Sequence, residues 1–287
     1  MNESRIIRRI SAVGIGGNIF LACIKLLGGL LGHSAAMVSD AVHSLSDVFA
    51  SFVAWLGVRI SRRAADADHP YGHERFECLA SLVLSLILLA TALGIGAGGV
   101  KRLLSGESLP SPGKSALLAA VVSILTKEAM FRYTRFYARK LNSSAFLADA
   151  WHHRSDALSS VGSLIGIGGA MLGHGAWDSA ACVLICFFIL KVAVDILRDA
   201  LQKLLDSSCG AELERELAAF IAGQEGVAAL DLLRSRRFGD KIYLDAEISV
   251  DGSLSLADAH SIAESVHNAV EQRYPDIKHI MIHENPV

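Results

Sequence analysis

The chain has 287 residues, 52% hydrophobic and 20% charged, with a formal net charge of −2 and a mean hydropathy of +0.41. With net charge near zero, nothing points to a partner held by bulk electrostatics such as nucleic acid. An apolar bulk with unevenly spread charge excludes a single soluble globule and describes a polytopic membrane protein with a polar tail.

A membrane-crossing helix needs about 20 mostly apolar residues. Taken in chain order, the stretches 10–31, 35–60, 79–103, 116–137, 146–172 and 176–201 meet that length, which predicts six spans. The first is read as a retained helix and not a signal peptide. Glycines in spans one and three (Gly14, Gly16, Gly17, Gly28 and Gly29; Gly94, Gly96, Gly98 and Gly99) permit close helix packing in lipid. The cysteines Cys23, Cys78, Cys182, Cys186 and Cys209 form no CxxC pair; Cys182 and Cys186 share a helix face and read as small core residues.

Lys and Arg in short connections orient the spans. Arg5, Arg8 and Arg9 precede span one; Arg59, Arg62, Arg63 and Arg75 lie at the end of span two or in the connection after it; and Arg132, Arg135, Arg139 and Lys140 lie at the end of span four or just after it. The opposite side has Lys101, Arg102 and Lys114, and its connections around His33 and His174 carry no Lys or Arg. Both termini are therefore expected in the cytoplasm.

Past residue 206 the texture changes. An amphipathic helix over 211–222, strands over 227–236 and 241–250, a helix over 255–274 and a strand over 278–283 predict a compact cytoplasmic α+β domain. The expected division is a transmembrane domain over 1–205 and a cytoplasmic domain over 206–287.

Spans two and five carry the chemistry. The segment DAVHSLSD (40–47) is echoed by DAWHHRSD (149–156). In each a His and an Asp lie four apart, so on a helix they share one face. An ionisable residue inside the bilayer is costly and marks function. His43, Asp47, His152 and Asp156 would together supply four N/O ligands, the number a tetrahedral Zn²⁺ site takes. Ligation needs neutral His and ionised Asp, so metal and protons compete for the site. Asp40 and Asp149, three residues earlier, read as supporting residues, and His153 as a bystander.

After span two the loop carries Asp66, His69 and His73, with His69 and His73 four apart beside carboxylates: a metal pattern or a polar turn. Glu77 stands where a His-Glu-x-x-His protease motif needs its second His, and this removes that reading. Arg75 is also placed to pair with Asp206. An intramembrane metallohydrolase would need a general base near the metal, for which Glu128, beside Lys127, is the only candidate.

Six spans, a His-x-x-x-Asp pair on the second and fifth, and the segment ADAWHHRSD (148–156) resemble the cation diffusion facilitator family of divalent cation/proton antiporters. The resemblance implies a homodimer that is no enzyme and exports Zn²⁺ from the cytoplasm against inward H⁺, in a cell membrane such as the bacterial inner membrane. It implies a ferredoxin-like fold for the tail. Fe²⁺, Co²⁺, Cd²⁺ or Mn²⁺ are alternative cargoes, because they accept similar ligands. His43, where some members have Asp, goes in the family with zinc preference. The likeness also implies a loop site at Asp66, His69 and His73, and regulatory Zn²⁺ between paired tails near Asp245, His260 and His283. Asp231 and Asp245 stand where some members have His, and His267 and His279 read as incidental.

Overall fold

The computed structural model describes residues 3–31, 35–105, 114–171 and 176–287. The side chains of Asp40, His43, Arg102, Lys114 and Cys182, and the connections around His33 and His174, lie outside the described residues. Two compact units emerge, one of residues 1–64 and 76–200, the other of 65–75 and 201–287.

In the first unit the described residues form six long helices: α1 (Glu3–Leu31), α2 (Ala35–Ser61), α3 (Arg75–Ser105), α4 (Lys114–Lys140), α5 (Ser144–Met171) and α6 (Ala176–Leu204). Each runs 27 to 31 residues, about 40 Å or more at 1.5 Å per residue and enough to cross a bilayer. Glu3–Leu27 and Arg75–Gly98 qualify as spans on length and apolarity alone. α2, α4 and α5 have ionisable residues set into their apolar stretches.

Polarity is arranged for lipid. Phe20, Leu27, Phe49, Leu125 and Phe187 are exposed on the outside of the unit, whereas Lys25, Asp47, Lys127, Asp149, His152 and His153 are buried. α1 packs on α2, α4 on α5, α1 on α4 and α2 on α5. Small residues allow the approach: a Cβ at Gly17 of α1 would stand 2.6 Å from Met130 Sδ of α4. Gly16 and Gly94 face open space, so not every glycine in these spans serves packing. One apolar cluster joins Ile10, Ala54, Leu84 and Phe146, and a second joins Leu88 and Ala92 of α3 to Ile189 and Ala193 of α6.

The second unit orders α7 (Ala211–Ala222), β1 (Ala229–Phe238), β2 (Lys241–Val250), α8 (Leu256–Arg273) and β3 (Ile277–Pro286). Its sheet runs β1-β2-β3, the first pair antiparallel and the second parallel. Gly239, at φ 69°, makes the tight turn between β1 and β2 that a residue with a Cβ resists. The parallel pair needs a crossover, which α8 supplies. Ser255 caps α8 by accepting from the Asp258 amide at 3.2 Å.

Leu217, Ile221, Leu244, Ile248, Val266, Val270, Ile277 and Ile280 fill the space between helices and sheet. Burying each large aliphatic side chain contributes roughly 1.5–3 kcal/mol. β3 runs to Pro286, past the expected end at 283, because its pairing follows β2 to Val250. β1 starts at Ala229, because Gly226 at φ 85° and the Val227 amide bonded to Gln224 form a turn first.

The loop 65–75 belongs to this second unit. The Tyr71 carbonyl accepts from the Tyr243 hydroxyl at 3.0 Å and from Lys278 Nζ at 3.2 Å. Lys278 pairs with Glu74, Arg75 with Asp206, and the Arg75 guanidinium lies 4.7 Å from the centre of the Phe238 ring. Burial works to lower the Lys278 ammonium's pKa, but the Glu74 carboxylate overrides it, and the net shift is upward.

Candidate metal centre

Asp47 on α2 and His152 and Asp156 on α5 meet in the interior of the helical unit. Their ligand atoms lie within 4.8 Å of one another. His152 Nε2 is 3.3 Å from Asp47 Oδ1 and 3.9 Å from Asp156 Oδ2. The i,i+4 spacing sets His152 and Asp156 one turn apart on α5, and packing of α2 against α5 brings Asp47 across. His43 precedes Asp47 by one turn on α2, but its side chain is outside the described residues.

Lys127 of α4, which in the sequence stands out only as the neighbour of Glu128, completes the cluster. Its Nζ donates to Asp47 Oδ2 at 2.6 Å and to Asp156 Oδ2 at 2.7 Å. Lys127 is 2% exposed. A buried ammonium costs several kcal/mol unless it is paired and hydrogen-bonded, and two carboxylates supply that pairing. They would otherwise repel each other. One signal was available: Lys127 is an ionisable residue within an expected span.

A second buried lysine, Lys25 of α1, donates to Ser44 of α2 at 2.9 Å. Ser44 lies on the same helix as Asp47, less than a turn before it.

Asp149 and His153 sit beside this cluster and touch each other. Ser51 of α2 donates to Asp149 Oδ1 at 2.9 Å, and His153 Nε2 lies 3.6 Å from Asp149 Oδ2. His153 is fully buried. Asp149 therefore ties α2 to α5 beside the metal-type cluster, through Ser51 and not through His152. Glu128 forms ion pairs with Arg132, at 2.8 Å, and with Arg154. Its carboxylate is committed to two guanidinium groups, away from the Asp47–Asp156 cluster.

In the second unit, Asp66, His69 and His73 also converge. His73 Nε2 lies 3.3 Å from Asp66 Oδ2, His69 Nδ1 lies 3.5 Å from Asp66 Oδ1, and the two rings are 4.5 Å apart. Asp66 Oδ1 also accepts from the His69 and Asp68 amides at 2.8 and 3.1 Å. The His69 amide, followed by the neighbouring imidazoles, holds the Asp66 carboxyl below the usual carboxylate range despite the opposing effect of desolvation. Glu77, which belongs to the first unit, accepts through Oε2 from Ser61 at 3.4 Å.

Asp245, His260 and His283 are not brought together within one chain. Asp245 pairs in register with Arg234 on β1 and Met281 on β3, and His283 with Glu247. His260, on α8, has its Nδ1 4.0 Å from Glu284. The reason is topological: the two strand residues are fixed by sheet register, while His260 rides on the crossover helix. Asp231 accepts from Ser249 at 2.8 Å and from Asn285 at 2.9 Å, and these bonds, the amide's first, hold its carboxyl below the usual range.

Comparison with known families adds two matches. The cation efflux transmembrane domain matches residues 11–205, and the cation efflux protein cytoplasmic domain matches residues 210–287. A manganese efflux system protein of Bacillus subtilis, MneP, is 30% identical over 99% of this chain and 97% of its own. Magnetosome protein MamB of Magnetospira sp. is 33% identical over 94% of this chain and 92% of its own. The solved C-terminal domain of MamM aligns at 25% identity over 26% of this chain and 96% of that domain, with a TM-score of 0.26.

Proposed function

The chain belongs to the cation diffusion facilitator family of divalent metal cation efflux transporters, and from that premise we propose that it exports Zn²⁺ in exchange for protons through Asp47, His152, Asp156 and His43. The observation that carries this reading is the gathering of Asp47, His152 and Asp156 around the Lys127 ammonium within the membrane-spanning unit.

The arrangement suits exchange of one cation for another. Two carboxylates and an imidazole, joined by His43, match the ligands and coordination number of Zn²⁺. The carboxylates balance its charge in a low dielectric. A dication entering between Asp47 and Asp156 meets the Lys127 ammonium at the same oxygens, so Lys127 must swing away as metal binds. Lys127 is thus a tethered place-holder that compensates the carboxylates while no metal is bound. On release, protons reaching His152 and the carboxylates compete with the metal, which couples export to inward H⁺. The termini and the α+β domain lie in the cytoplasm, following the Arg and Lys bias of the connections. The protein acts as a homodimer in a bacterial inner membrane. Asp245, His260 and His283, apart in one chain, are shared between paired tails as a regulatory Zn²⁺ site, and Asp66, His69 and His73 hold a further ion.

A second reading takes Mn²⁺ as the cargo. It is favoured by the manganese efflux relative, similar over nearly the full length, and by the two carboxylate oxygens, which suit a harder ion. Metal flux into proteoliposomes, measured with Zn²⁺, Mn²⁺, Fe²⁺, Co²⁺ and Cd²⁺ in competition, separates the two. Zn²⁺ moving fastest and inhibiting the others supports the first reading; Mn²⁺ flux undiminished by equimolar Zn²⁺ supports the second.

A further inference from the structure

We propose that His267, Glu271 and His279 form a transition-metal site within a single copy of the C-terminal domain, separate from the loop trio and from Asp245, His260 and His283. His267 and Glu271 stand four apart on α8 and so share a face. His279 enters from β3, placed by its register with Tyr243 and by the burial of its neighbour Ile280.

His267 Nε2 lies 3.0 Å and His279 Nδ1 3.4 Å from the same atom, Glu271 Oε1. The two rings are 5.2 Å apart, nearly edge to face, and the three ligand atoms lie within 4.8 Å of one another. Bond lengths of about 2.0–2.2 Å to a tetrahedral Zn²⁺ put ligand atoms roughly 3.4 Å apart. The cluster is therefore within small side-chain rotations of a ligand shell.

Glu271 Oε1 sharpens the inference. The atom is buried and makes no hydrogen bond of normal geometry, although two imidazole nitrogens face it. A buried carboxylate oxygen left so is costly, and an ion bridging it to both rings removes that cost. His267 and His279 line a cavity of about 400 Å³, whose wall also carries His260, Glu264 and Glu284. The ion thus has a polar entry path, and His267 and Glu271 remain about one-third exposed.

The donor set names the chemical class. Two imidazoles with one carboxylate suit Zn²⁺ and the neighbouring ions Fe²⁺, Co²⁺ and Ni²⁺. Mg²⁺ and Ca²⁺ prefer oxygen throughout. Joining α8 to β3, the ion would clamp the crossover helix to the edge strand and stiffen the domain as metal rises. The site does not depend on which ion crosses the membrane.

The test is metal stoichiometry of the full chain purified in detergent, titrated with Zn²⁺ calorimetrically and with Co²⁺ by its visible absorption. Glu271→Gln and His279→Ala each should bind one ion fewer per chain than the parent, and the Co²⁺ band of an imidazole-bound ion should weaken. Glu271→Gln keeps the side chain's shape and guards against misfolding, and Glu264→Gln, on the same cavity wall, should leave the count unchanged. Equal stoichiometry in Glu271→Gln, His279→Ala and the parent would overturn the site. Proteoliposome Zn²⁺ flux in Glu271→Gln separates this result from a failure of the transport reading.

Discussion

Lys127 Nζ on α4 lies 2.6 Å from Asp47 Oδ2 on α2, and the pair is sealed inside the helical unit. A lysine so placed supplies the positive charge that two facing carboxylates need when no metal is between them. It also holds the carboxylate oxygens through which the proposed transport site would take a metal.

Lys127→Met should separate those two effects. Without metal the variant should be less stable by about 3–5 kcal/mol, the cost of leaving buried charge uncompensated. Zn²⁺ should bind it about tenfold more tightly, or 1.4 kcal/mol, since no ammonium must be displaced. Thermal unfolding with and without Zn²⁺ reads both: a lower metal-free melting temperature and a larger rise on adding Zn²⁺ than in the parent. Equal rises in parent and variant would remove Lys127 from the exchange.

Ser51→Ala should behave differently. It removes the donor to Asp149 Oδ1, at 2.9 Å, and leaves a buried carboxylate short of a partner, costing about 1–3 kcal/mol. Because Asp149 reaches Ser51 and His153, metal affinity should change less than twofold by calorimetry while stability falls. An affinity loss as large as that of Asp47→Ala would make Asp149 part of the binding site.

In the loop, the Asp66 carboxyl is held below its ordinary range, first by the His69 amide. Its contribution to loop order is therefore complete above the ordinary carboxylate value of about 4 and is lost as pH falls through the lower folded value. Hydrogen exchange at the His69 amide should stay protected from pH 7 to about pH 4, and Asp66→Asn should lose part of that protection at every pH. Equal protection in Asp66→Asn and the parent would contradict this account of the turn.

Much of this was legible in the sequence, because local rules decided it. The helix Ala211–Ala222 sits between Gly210 and Gly223 and buries Leu217 and Ile221 on one stripe, so periodicity and breakers agree. The ends of β2 and the start of α8 just after Ser255 follow from equally short-range signals. The spacing of His152 and Asp156 placed both on one face of α5. What stayed hidden depends on packing between distant elements. Lys127 joins Asp47 and Asp156 only because α4 packs on α5 and α5 on α2. His279 reaches His267 and Glu271 only because β3 pairs parallel to β2 beneath α8. Strand register likewise keeps Asp245 and His283 away from His260 within one chain.

The central claim is that Asp47, His152 and Asp156 bind the transported ion and exchange it for protons. Its most direct test is Zn²⁺ flux in proteoliposomes under an imposed pH gradient, with internal pH recorded in the same vesicles, for the parent, Asp47→Ala and Asp156→Ala. The account predicts Zn²⁺ uptake driven by the gradient, with protons moving in the opposite direction, and loss of both movements in either variant. Uptake of Zn²⁺ by Asp156→Ala at the parent rate, or parent uptake that ignores the gradient, would contradict it.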